Sequence, residues 1–254
     1  MLQTRVIPCL LMKNGGLVKT TRFSEPNYVG DPINAVRIFN EKEVDELILL
    51  DIEASKKSLE PNYQKISDIV SEAFMPIAYG GGISALEQAQ KVINLGVEKV
   101  VINSAALQNS KLINLISEKI GSSSTVVAID VNKDWLGHYC IFRSDTGKNI
   151  EKNLFLYIQE VVSLGAGEIF INAVYLDGTQ KGYDLELVRK ICSSVDVPVV
   201  ICGGARDLNN FKEASDAGAS GVAAGNIFVY IGKHKAVMIN YPKQQTLLEI
   251  FKHE

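Results

Sequence analysis

Two Gly-Gly steps, Gly81-Gly82 and Gly203-Gly204, lie 122 residues apart, and each follows a short apolar run and precedes an amphipathic segment. At the same offset Pro76 pairs with Pro198, Leu86 with Leu208, Gly96 with Gly218, and Asn103-Ser104 with Gly225-Asn226. Glycines directly after a strand let backbone N–H groups approach an anion, and a helix N-terminus adds partial positive charge. The pattern therefore predicts two phosphate cradles, one per half of the chain. Three carboxylates, Asp51, Asp130 and Asp177, stand near them, each after an apolar run. Asp130 closes VVAID, where burial would raise its pKa and suit it to general acid or base work; the competing reading is an Asp that caps a turn. Its counterpart in the first half is Leu11, closing IPCLL. Proton transfer by two carboxylates needs a group on each side of the substrate, and leucine supplies none.

The elements that must position these residues alternate along the chain. Strand-like runs are expected at Arg5–Leu11, Glu46–Asp51, Pro76–Tyr79, Lys99–Asn103, Thr125–Asp130, Glu168–Asn172, Pro198–Cys202 and Gly221–Ala224. Helix-period segments are expected at Asp31–Lys42, Asn62–Ala73, Ala85–Leu95, Lys111–Ile120, Glu151–Leu164, Asp184–Ser194 and Leu208–Ala217. Eight strands in 254 residues predict an α/β fold, a (β/α)8 TIM barrel forming one domain over 1–254, with half-repeats of about 1–122 and 123–254. A doubly wound open sheet is the competing architecture. Two connections exceed the usual length. Met12–Gly30, with Gly15-Gly16 and Lys19, reads as a lid over an anionic ligand or as a disordered excursion. Val131–Ile150 reads as a hairpin around Asp145-Thr146-Gly147 and holds Trp135, the only tryptophan.

Alternation along strands puts Arg5, Ile7, Cys9 and Leu11 on one face, with Glu46, Ile48 and Leu50, with Lys99, Val101 and Asn103, and with Glu168, Phe170 and Asn172. If these faces point inward, Arg5, Glu46, Lys99 and Glu168 form a ring at the N-terminal mouth. Charges splayed into solvent are the bland alternative, and the 122-residue spacing of Glu46 and Glu168 favours the ring.

Composition excludes several classes. A net charge of -3 leaves no electrostatic footprint for nucleic acid. No apolar run reaches the roughly 18 residues of a membrane span, and the Met1-Leu2-Gln3 start lacks a signal-peptide layout, so a cytoplasmic protein is expected. Four cysteines without C-x-x-C spacing and three histidines suggest reduced thiols and no metal site, and no cofactor is expected. There is no Gly-x-Ser-x-Gly elbow and no Walker loop. Ammonia, if used, must come from another polypeptide.

At these residues the chain resembles, over nearly its whole length, the cyclase subunit of imidazole glycerol phosphate synthase (HisF), a lyase of histidine biosynthesis. The matching motifs are RVIPCL with Lys13, Gly15 and Lys19; GDPINA; VDELILLDIEAS; YGGGI; EKVVINSAAL; VVAID; GAGEI; DGTQKGYD; and CGGA followed by AAGNIF. The resemblance implies a separate glutaminase of the HisH type on the N-terminal face of the barrel. It implies ammonia passing along the axis to a bis-phosphorylated ribulosyl nucleotide at the other face. Arg5, Glu46, Lys99 and Glu168 would be the family's salt-bridged ammonia gate. Gly82, Asn103 and Ser104 would hold one phosphate, and Asp177, Gly178, Gly204, Ala224 and Gly225 the other. Asp130 matches one catalytic aspartate, with Lys19 and Asp51 as candidate helpers.

The departures are as informative. The family's second catalytic aspartate falls on Leu11, Asn14 stands where an aspartate is usual, and Asn172, Cys202 and Gly225 replace small hydroxyl or alanine side chains. A subgroup tied to surface-polysaccharide clusters is similar in carrying IPCLL, and the likeness implies a third, sugar-modifying amidotransferase. Two readings follow: a barrel that conducts ammonia with little cyclase activity, and a genuine cyclase in which Asp130 works with Asp51 or Lys19. A single-substrate isomerase on the same half-repeat barrel is a third, which lacks the second acid it would need.

Overall fold

The computed structural model describes residues 4–24, 26–232 and 234–252. The Met1-Leu2-Gln3 start and His253 lie outside them. Eight strands, β1 (Arg5–Lys13), β2 (Leu47–Asp51), β3 (Ile77–Gly80), β4 (Lys99–Ile102), β5 (Thr125–Lys133), β6 (Glu168–Ala173), β7 (Val199–Cys202) and β8 (Gly221–Ala224), pair in parallel in that order. Pairing of β8 with β1 and of β5 with β6 closes the sheet, so the chain is a (β/α)8 barrel and the open doubly wound sheet is excluded. These strands read as unbroken apolar runs because both faces are covered: β7 is buried at every position from Val199 to Cys202. The outward faces join one core with the helices, while Ile7, Ile48, Val101, Val126, Phe170 and Val200 meet along the axis.

The helices are α1 (Pro32–Glu41), α2 (Tyr63–Val70), α3 (Leu86–Asn94), α4 (Lys111–Ile120), α5 (Leu154–Ser163), α6 (Leu185–Cys192), α7 (Leu208–Asp216) and α8 (Gln244–Ile250). Asp31, Asn62, Asn153, Asp184 and Asp207 accept hydrogen bonds from first-turn amides and set where five of them start. Short helices at Ser104–Gln108 and Asn226–Val229 follow β4 and β8, one per half. Among the described residues no helix is long and apolar enough to cross a membrane.

Three expectations need correction. First, the repeat has no uniform offset. Register places Leu11 level with Leu50 and Asp130 level with Asn172. Leu50 and Asn172 keep the 122 spacing, whereas Leu11 and Asp130 are 119 apart because the chain between β5 and β6 is three residues longer. Second, the described residues of the Met12–Gly30 connection, which exclude Glu25, are paired rather than a free excursion. Gly16–Lys19 pairs antiparallel with β1, and Asn27–Gly30 pairs with Gly16–Lys19. The reversal is made by Asn14 and Gly15, both at positive φ, an Asn-Gly hairpin turn. Third, β5 does not stop at Asp130 but continues to Lys133 and pairs with Tyr139–Arg143, which pairs with Lys148–Ile150. The insertion therefore has two turns.

Candidate active site and charged mouth

At the N-terminal end of the barrel the four strand-start charges do face inward. Arg5 donates to Glu46 and, at 2.6 Å, to Glu168, and Lys99 Nζ lies 2.9 Å from Glu46 and 3.3 Å from Glu168. Both carboxylates are buried, so each relies on the two cations for its charge. Burial alone would lower the Arg5 pKa, yet Glu168 and Glu46 raise it overall. The reading in which these charges splay into water is excluded.

At the opposite end a cavity of about 240 Å³ opens among the βα connections. Asp130 lies within β5, so its turn-capping reading fails, and the residue is 5% exposed. Burial is the largest influence and pushes its pKa up to about 6, against the lowering effect of the nearby polar groups of Asn103, Ser144 and Asn172. Asn103 Nδ2 donates to Asp130 Oδ2 at 2.9 Å. Leu11, level with Leu50 on the neighbouring strand β2, lines the same cavity. The cavity thus holds a carboxylate tuned near neutrality on one side and a leucine at the related position.

The other sequence candidates are placed as follows. Asp51 lines the cavity, but its Oδ1 accepts from Glu53 N at 3.0 Å and Ala54 N at 3.1 Å. That turn fixes the Asp51 carboxylate through Oδ1. Lys19 is buried beside Gly225. Asp177 accepts from Thr20 Oγ1 at 3.0 Å, and its carbonyl accepts from Arg22 N, which ties the arm down over Gly178. Gly82, Gly178, Gly204, Asn103, Ser104, Ala224 and Gly225 all line the one cavity. Gly82 (φ +73) and Gly204 (φ +104) have no alternative residue: a Cβ would lie 2.6 Å from Leu59 O and 2.1 Å from Gly182 O respectively. Among the described residues no cluster of His, Cys, Asp or Glu is arranged to hold a metal ion.

Several contributors are missed by sequence reasoning. Ser144, carried by the β5 hairpin, lines the cavity with Asp130 and helps lower its pKa. Phe23 of the arm meets Phe142 of that hairpin edge to face, with centroids 6.1 Å apart. Asp184, the α6 cap, accepts from Tyr175 at 2.6 Å and from Tyr139, and pairs with Lys133 at 2.9 Å. Despite burial, these donors hold its pKa down at about 2. The network fixes the hairpin that brings Ser144 over the cavity. The Asn14-Gly15 pair is the available sign of the arm; nothing local marks Ser144.

A closed (β/α)8 barrel with two repeat-related glycine loops and a charged ring at the mouth below defines a half-repeat barrel protein built around a C-terminal-face cavity. The chain belongs to the histidine biosynthesis protein family, which it matches over residues 5–235. It is 52% identical over 243 residues, covering 95% of this chain and 97% of the relative, to a Pseudomonas aeruginosa protein provisionally named imidazole glycerol phosphate synthase subunit hisF2. A Leptospira interrogans protein provisionally named subunit HisF of that synthase is 45% identical over 253 residues, 99% of this chain and 100% of its own. The imidazole glycerol phosphate synthase subunit HisF of Exiguobacterium sibiricum is 37% identical over 228 residues, 90% of this chain and 91% of its own.

Proposed function

We propose that this chain is a HisF-type synthase subunit that takes ammonia from a partner glutaminase at the N-terminal mouth and passes it along the barrel axis. It has little cyclase activity of its own and supplies ammonia for amidation of a nucleotide sugar by a third, separate amidotransferase. The single observation that carries the reading is the equivalent register of Leu11 beside Leu50 and of the retained Asp130 beside Asn172, above a fully paired ring of Arg5, Glu46, Lys99 and Glu168. A buried ion ring is costly unless it serves a purpose, since apolar residues would close the mouth more stably. Above it the axis is lined by apolar side chains such as Ile7, Ile48, Val101 and Val200. Such a lining admits neutral NH3 and rejects ammonium, whose desolvation is prohibitive.

In this reading the four ring side chains exclude water and cations below. The two glycine cradles hold phosphate groups of a small-molecule ligand above. Asp130, with a pKa about 6, is deprotonated in most molecules at neutral pH and accepts a proton as a general base. The return proton has no donor at Leu11, and Asp51 is held in its turn, so the second transfer of a cyclisation is slow. Similarity to a provisional hisF2 protein at 52%, against 37% for a plain HisF, supports a paralogue over the histidine enzyme. No membrane or nucleic-acid partner is invoked, and a cytoplasmic site of action is proposed with the rest.

The test is to purify the barrel with its glutaminase and assay cyclisation of the bis-phosphorylated ribulosyl nucleotide with excess ammonium. Turnover below about one per cent of an ordinary cyclase is expected, since loss of an essential acid or base costs about 10²- to 10⁴-fold. Ordinary turnover would establish the alternative, a genuine cyclase of histidine biosynthesis.

A further inference from the structure

The buried charges of the barrel fall into two sets. Glu46 and Glu168, at the N-terminal mouth, are matched by Arg5 and Lys99. Lys19, Asp130 and Asp177 line the cavity at the other end, and with both carboxylates ionised that set carries one net negative charge. The charges around it do not cancel this: Asp145 pairs with Arg143, Glu53 lies 3.9 Å from Lys13, and Asp51 and Lys56 on the β2 side are of opposite sign. Cys202, level with Asn172 on β7, stays a neutral thiol, its pKa raised by Cys9 and by burial.

Beside Asp130 stands a polar group with nothing to bind. Asn172, level with it on β6, is 8% exposed and lines the cavity. Its carboxamide forms no hydrogen bond among the described residues, and its Oδ1 is buried without a partner. The other buried asparagines do better: Asn210 accepts from Arg206 N and donates to Glu213, and Asn226 donates to the Gly178 carbonyl. A buried polar group left unpaired destabilises a fold, and an apolar side chain would fill the same strand position without that cost. Asp130 also has room for a donor, since Asn103 takes Oδ2 and no other hydrogen bond to the carboxylate forms among the described residues. A half-turn about the last torsion of Asn172 exchanges Nδ2 and Oδ1, so its oxygen can face the cavity. Two neighbouring acceptors, one of them charged, call for a ligand that brings only donors.

Resting on the reading that ammonia leaves the apolar axis at this end, we propose that Asp130 and Asn172 form a site for a monovalent cation, and that the cation is ammonium. Ala128 and Phe170, two residues earlier on the same strand faces, belong to the axial apolar cluster. Asp130 and Asn172 are therefore the first polar side chains above it on β5 and β6. Ammonia that emerges there takes a proton from cavity water: its lone pair forms the new N–H bond, and hydroxide leaves to the bulk. The reverse step frees ammonia for its acceptor. One net negative charge, and no cluster of three metal-ligating side chains among the described residues, suit a monovalent ion rather than a divalent one. Potassium needs a fuller shell of oxygens than these two groups supply.

The experiment titrates ammonium chloride into the ¹³C,¹⁵N-labelled full chain at neutral pH, with ionic strength held by tetramethylammonium chloride, which has no N–H donor. The Asp130 carboxyl carbon and the Asn172 side-chain amide are the readouts. Both signals are expected to shift and saturate with ammonium, and potassium chloride to act at least about tenfold more weakly. Asn172→Leu should weaken ammonium binding by about 10- to 100-fold, the range for a hydrogen bond to a charged group. The same variant should raise the thermal midpoint, which loss of a merely structural residue would lower. Asp130→Asn should abolish the response, and Asn172→Ala replaces Asn172→Leu if the latter does not fold. No saturable shift, an equal response to potassium, or unchanged affinity in the Asn172 variants overturns the site. Any of these leaves the conducting reading standing, because that reading is tested separately, by the coupling of glutamine hydrolysis to ammonia delivery in the complex.

Discussion

Replacing Asp130 with asparagine should make this barrel more stable at neutral pH, and the size and pH dependence of the gain follow from its surroundings. Burial lifts the carboxyl pKa from 3.8 to about 6 in the folded chain. Each unit corresponds to about 1.4 kcal/mol, so keeping Asp130 ionised at pH 8 costs the fold on the order of 3 kcal/mol. The sign is that of a raised acid: the folded state binds the proton more tightly, so the cost is absent below about pH 4, grows through about pH 6 and is complete above it. Asparagine carries no charge and keeps an oxygen for Asn103 Nδ2. Urea unfolding of both proteins at pH 4, 6 and 8 should give matching midpoints at pH 4. A gain of about 2 to 3 kcal/mol is expected at pH 8, roughly 4 to 12 °C in thermal midpoint at this chain length. A variant that is equally or less stable at pH 8, or a difference independent of pH, would refute the reasoning that burial dominates at this site.

Changing Lys99→Met removes one of two cations from the ring and leaves Glu46 and Glu168 sharing Arg5. A loss of about 3 to 5 kcal/mol in denaturant unfolding is expected, together with leakage of glutamine-derived ammonia in the complex; unchanged stability and unchanged coupling would make the ring ornamental. Lys133→Ala removes one of the groups that hold the Asp184 pKa near 2. The carboxyl should titrate higher by NMR, and stability should fall by about 1 kcal/mol at pH 7. Because a depressed acid stabilises only above its unfolded pKa, that deficit should vanish as pH falls through about 2. A deficit that persists there would point to packing of Lys133 on Tyr139 and Tyr175 as the cause.

The barrel is legible because its strands are buried on both faces and its helices carry polar caps, so period and punctuation agree along the chain. Alternation groups the residues of each strand face, and the 122-residue spacing of Glu46 and Glu168 points those faces inward, so that Arg5, Glu46, Lys99 and Glu168 meet. What fails is local. Asn14-Gly15 is a strong hairpin signal, but it sits inside a long connection whose length and glycines suggest a loose lid, and that hides a two-stranded arm tied to β1. The polar residues after Asp130 suggest that its strand ends there, whereas Asn132 and Lys133 stay in β5 through pairing with Tyr139 and Cys140. The uniform repeat spacing breaks between β5 and β6, where only register reveals the three added residues. Long-range meetings, Ser144 with Asp130 and Lys133 with Asp184, leave no periodic trace in sequence.

The most direct measurement restores the missing acid. Ammonium-dependent cyclisation of the bis-phosphorylated ribulosyl nucleotide should be followed for the unaltered chain and for Leu11→Asp, whose new carboxylate would stand level with Leu50 as Asp130 stands level with Asn172. A rise of at least about 100-fold from a near-zero base is expected. Full turnover by the unaltered chain, or no rise in a folded Leu11→Asp protein, would contradict the claim that the second proton-transfer group is what this barrel lacks.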